Sequence, residues 1–96
     1  MSDLHFGLLH FDLHIPDALS LKSKRFVLKS LKDRIRVKFH VSVSEAGDLD
    51  KWQRAQIGVA MAANEKKLLE QTFQKILNLA EQDSGIQILS HETEYL

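Results

Sequence analysis

The hydrophobic period of this chain changes from two residues to about 3.6 and back again, twice, and few compact folds satisfy that series of changes. Residues 4–15 alternate as a strand, with Leu9, Phe11, Leu13 and Ile15 facing one way and Leu8, His10, Asp12 and His14 the other. From Ser20 to Arg36 the period lengthens, and Leu21, Val27, Leu28, Leu31 and Ile35 form one apolar stripe on a helix. Alternation returns over 38–46 (Phe39, Val41, Val43) and over Trp52–Met61 (Ala55, Ile57, Val59, Met61), two strands joined by a turn rich in acids around Gly47. A second helix is predicted from a cap at Asn64 to near Gln82, with a broad buried face of Leu68, Leu69, Thr72, Phe73, Ile76, Leu77, Leu79 and Ala80. Asp83-Ser84-Gly85 breaks it, and Ile86–Leu96 reads as a last strand whose Glu92 and Glu94 suit a sheet edge.

The order βαββαβ has one simple solution. Two helices cover one face of a four-stranded antiparallel sheet in the spatial order 4-1-3-2, the ferredoxin-like α+β arrangement. Ninety-six residues, 44% hydrophobic and 27% charged, suit a single domain spanning 1–96. The chain has no cysteine, so a disulfide, an iron–sulfur cluster or a thiolate zinc site is excluded and no cofactor is expected. No apolar stretch is long enough to cross a bilayer, and the start Met1-Ser2-Asp3-Leu4-His5 does not read as a secretory leader. A cytoplasmic protein without a membrane partner is the expectation.

Charge is balanced in total and unbalanced in position. Residues 20–38 hold eight bases and only one acid, Asp33, a net of +7, so the other 77 residues carry −7. Lys22, Arg25, Lys29, Lys32 and Arg36 fall on one stripe of the first helix. Lys24 lies inside the apolar arc, where its stem would be buried and its ammonium would reach water past the sheet edge. The helix begins just after His14-Ile15-Pro16, with Ser20 as its cap, and bases occupy a first turn that favours acids. A bound anion would relieve that conflict. Ser20, Lys22, Lys24, Arg25, Lys29, Lys32 and Arg36 are therefore the candidate anion- or nucleic-acid-binding set, the partner being RNA or the ribosome. A solvated basic face with no partner explains the same residues. Phe26 fits neither stripe; it is either covered by a loop, which is the expectation, or a partner contact.

The second candidate is the sheet face turned away from the helices. It should carry His10, Asp12 and His14 from the first strand and Trp52, Arg54 and Gln56 from the third. Leu8, Trp52, Gly58 and Ala60 there could pack against a second copy, giving a homodimer. Base stacking in the manner of an RNA-recognition motif would need aromatics along the third strand, and Trp52 is alone at its start. Trp52 could equally cap the rim of the core, with Arg54 paired to Asp12 or Asp50. A metal site from His10, Asp12 and His14 is not expected, because alternate residues on a strand lie about 6.6–7 Å apart. A small phosphate-ester or acyl-phosphate hydrolase built on His14, Asp12, Arg54 and the helix start is the third reading. No glycine-flanked phosphate loop lies between Ile15 and Ser20 to support it.

Several stretches together resemble one family. They are His14-Ile15-Pro16, Ser20-Leu21-Lys22 with Lys24-Arg25, Lys29-Ser30-Leu31, Phe39-His40-Val41-Ser42-Val43, and Asp50-Lys51-Trp52-Gln53-Arg54-Ala55 with Gly58. They resemble the YlxP-like family of small bacterial proteins, whose function is unknown. The resemblance implies a ferredoxin-like fold and a cytosolic bacterial protein. It also implies an RNA-linked role, since family members tend to be encoded beside translation and ribosome-maturation factors. It transfers no catalytic residue, and His40 stands where the family more often has asparagine.

Overall fold

The computed structural model describes residues 3–96, so the reading of the start at Met1 and Ser2 lies outside it. The order is β1 (His5–His14), α1 (Leu21–Lys38), β2 (Ser42–Gly47), β3 (Arg54–Ala63), α2 (Lys66–Glu81) and β4 (Gln87–Tyr95). The strands form one antiparallel sheet in the order β2-β3-β1-β4, the expected order read from the opposite edge. Both helices lie on one face.

Each strand buries the residues its alternation assigns to the helices. Leu9, Phe11, Leu13 and Ile15, with Ala55, Ile57, Val59 and Val43, meet Leu28, Leu31 and Ile35 of α1 and Leu69, Phe73, Ile76, Leu77, Leu79 and Ala80 of α2. Leu68 is 40% exposed and stands outside this core. Gly7 belongs to the core side too. A Cβ at that position would sit 2.8 Å from Cε2 of Phe73, so the glycine lets α2 approach the sheet.

The differences from expectation lie at element ends. Ser20 caps α1 as predicted: the Ser23 N–H donates to Ser20 Oγ (3.1 Å), and the Ser20 N–H donates back to Ser23 Oγ (3.2 Å). The helix runs on to Lys38, because the Phe39 N–H still donates to Ile35 O (2.9 Å). Phe39 and Val41 therefore precede β2 rather than belonging to it, although both pack against the core. Their alternation records burial, not pairing with a neighbouring strand. Trp52 and Gln53 likewise precede β3. Asn64 does not cap α2; Glu65 stands at that position and makes no side-chain bond to the helix. That helix is held by its apolar face instead of its first turn.

Candidate functional site

Five of the eight cations near α1 are engaged within the chain. Lys24 corrects the expectation of a wetted ammonium. It is 2% exposed, and its Nζ donates to the backbone carbonyls of Asp48 (2.5 Å) and Lys51 (2.6 Å) in the β2–β3 loop. Burial pushes the ammonium below the ordinary lysine range, against the opposing pull of Glu45, Asp48 and Asp50. Among the described residues, Asp48 is the one residue outside glycine with a positive φ, 58°, a conformation that aspartate tolerates in turns. Lys24 thus fastens a tight loop and offers no charge to a ligand.

The other engaged cations meet carboxylates. Lys29 pairs with Asp33 (2.7 Å), Lys32 with Glu45 of β2 (3.1 Å) and Arg34 with Asp83 beyond α2 (3.1 Å). Arg36 lies 3.8 Å from Asp33 and donates to Val43 O at 2.9 Å. The Lys29 hydrogen bond, followed by the charges of Lys29, Arg36 and Lys32, holds the Asp33 carboxyl below its usual range. Among the described residues, Lys22, Arg25 and Lys38 have no carboxylate partner. Lys22 and Lys38 lie at opposite ends of α1, about 24 Å apart along its axis at 1.5 Å per residue. The expected continuous row is therefore two free cations near the Ser20 cap and one at the far end. Phe26 corrects another expectation: it is 78% exposed, and no loop covers it.

On the open sheet face the register places His10 beside Gly58 and Glu92, Asp12 beside Gln56 and Ser90, and His14 beside Arg54 and Gln87. His10 Nε2 donates to Gln56 Oε1 (3.1 Å), and Gln56 Nε2 donates to Asp48 Oδ2 (3.2 Å). His14 Nδ1 donates to Gln87 Oε1 at 3.1 Å. Ser90 Oγ donates to Asp12 Oδ2 (3.2 Å), while Asp12 Oδ1 is buried without a partner. Arg54 is exposed and forms no ion pair with Asp12 or Asp50. Trp52 is 54% exposed and precedes β3. No group of three His, Asp or Glu among the described residues could hold a metal ion.

The other half of this face is apolar. Phe6 is 41% exposed and Leu8 44%; Ala62 and Ala60 stand opposite them on β3. Leu8, Gly58 and Ala60 stand where their alternation places them, and Phe6 joins them, its even spacing from Leu8 being the one signal in the sequence for it.

These features define a two-layer ferredoxin-like domain with a half-polar, half-apolar open sheet. No described helix is long and apolar enough to cross a membrane. The chain belongs to the family described as a protein of unknown function, DUF503, which matches residues 6–93. It is 36% identical over 89 residues to the uncharacterized protein YlxP of Bacillus subtilis (strain 168), covering 93% of this chain and 97% of that one. A solved structure of a provisionally assigned aminohydrolase from methicillin-resistant Staphylococcus aureus is 12% identical, with a TM-score of 0.43. The likeness spans 97% of this chain and 28% of that one and carries no functional argument.

Proposed function

We propose that this chain is a non-catalytic, cytoplasmic association module that pairs with a second copy through its open sheet face. The observation that carries the reading is the exposure of Phe6 and Leu8 on β1, a strand paired on both sides. Large side chains adjacent on a regular surface mark an interaction site more often than isolated ones do. Leu8→Glu places a charge at the centre of the patch without touching the core. Sedimentation should give a dimer for the wild type and a monomer for Leu8→Glu. The variant's unfolding free energy should stay within about 0.5 kcal/mol of wild type, as for surface changes. A wild type that sediments as a monomer at high concentration removes the reading.

A second reading, RNA or ribosome contact, is favoured by Lys22 and Arg25. Both are exposed, neither has a carboxylate partner, and the first turn of α1 contains no acid. Such contact would be made at one corner and would involve phosphates, not bases. Replacing both residues with alanine should weaken binding of structured RNA and lower the salt slope by about 2. Equal affinities for variant and wild type would dispose of it. A phosphate-ester hydrolase has weaker support, because His10 and His14 are each bonded to a glutamine carbonyl.

A further inference from the structure

The open face holds a ridge and a trough side by side. Along β1 the outward residues are Phe6, Leu8 and His10; opposite them on β3 stand Ala62, Ala60 and Gly58. One strand further on, Ser42 and Ser44 of β2 continue the low ground. A depression of about 320 Å³ lies there between Leu8 and His10 on one side and Ser42 and Ser44 on the other, with Gly58 and Ala60 as its floor.

Gly58 is the informative residue. Its φ is not positive, so the backbone does not demand glycine. An added Cβ would lie 3.8 Å from Cβ of Ala46 and 4.0 Å from Ser44 O, which is ordinary contact. Gly7 is the opposite case, since there a Cβ would collide with Phe73. A glycine in a strand interior costs stability of about 0.5–1 kcal/mol relative to alanine. Nothing inside the fold requires that cost at position 58. The missing side chain therefore accommodates something that approaches from outside.

We infer that the trough receives the β1 ridge of a second copy, so that the two chains interlock with two-fold symmetry. This rests on the association reading above and specifies how the surfaces fit. A two-fold contact must be self-complementary, and a ridge beside a trough on one face meets that condition. A two-fold axis parallel to the strands lays each ridge into the other copy's trough. The same rotation carries the acidic edge strand β4, with Glu92 and Glu94, over the hydroxyls of Ser42 and Ser44 on the other copy's β2. Like-charged edges are kept apart, and the carboxylates meet hydrogen-bond donors. Strands of 6, 10, 10 and 9 residues, at about 3.3 Å per residue and about 4.8 Å spacing, offer roughly 550 Å² per copy. The total of about 1,100 Å² clears the roughly 1,000 Å² that a biological interface needs and marks a small one.

The test is sedimentation equilibrium of the wild type, Gly58→Val and Gly58→Ala, with thermal unfolding of each. The wild type should be a dimer. Gly58→Val should fold under conditions where it and the wild type are both monomeric, because its Cβ meets only ordinary contacts and a β-branched residue suits a strand. It should weaken the dimer about 30-fold or more by filling the trough. Gly58→Ala should fall between the two, and it decides the matter if the valine variant does not fold. A wild-type dimer whose constant is unchanged by either substitution overturns the interlock and leaves association through this face standing. A monomeric wild type, whether free or bound to RNA or to another protein, overturns both.

Discussion

The basic helix and the open sheet face make opposite use of their exposed residues. Around α1 a net charge of +7 is largely consumed internally: four cations meet Asp33, Glu45 or Asp83, and Lys24 meets two carbonyls. The sheet face, with little net charge, leaves Phe6 and Leu8 uncovered and keeps an unneeded glycine beside them. Charge summed along a segment is thus a poor measure of charge offered to a partner, since partners 13 and 49 residues away answer Lys32 and Arg34. Unsatisfied apolar surface has no such hidden partner within the chain.

The comparison breaks most sharply at Lys24. If this lysine is a fastener and not a ligand group, Lys24→Ala should cost about 2–4 kcal/mol in chemical denaturation. The change deletes a buried stem and strips two carbonyls of their donor. Lys24→Met, which keeps the stem, should recover part of that loss. An exposed binding lysine would show neither effect. A smaller effect is expected from the two glycines. Gly7→Ala should destabilise by about 1–3 kcal/mol through overpacking against Phe73, whereas Gly58→Ala should not destabilise the monomer. Equal losses at the two sites would erase the distinction between them.

The smallest effect concerns pH. The Asp48 carboxyl is held below its usual range by the Lys51 hydrogen bond first and the Gln56 bond second, and Asp33 by Lys29. A carboxyl with a lowered pKa in the fold adds stability above its unfolded pKa. That stability disappears as pH falls through the lowered folded value. Asp48→Asn should therefore reduce the loss of stability between about pH 4 and lower values, read from melting temperatures across an acid series. An acid limb identical to wild type would show that the pairing contributes nothing.

The architecture was legible because alternation and helical period both report burial, and burial is what this fold is built from. The same signal misled at Phe39 and Val41, which are packed against the core without belonging to β2. Asn64 has the chemistry of a cap, yet α2 begins one residue later than that choice requires and uses no side-chain cap. The candidate site was legible in type and not in state. His10, Asp12, His14, Arg54 and Gln56 do share the open face, while Trp52 precedes β3, which starts at Arg54. Which cations remain free depends on contacts between distant segments, and local spacing carries no record of them.

The central claim is that the open sheet face is covered by another copy of this chain. Sedimentation equilibrium of the unmodified protein over a wide concentration range tests it most directly. The account predicts a mass of twice one chain, reverting to a single chain in Leu8→Glu. A single-chain mass for the unmodified protein throughout that range would contradict it.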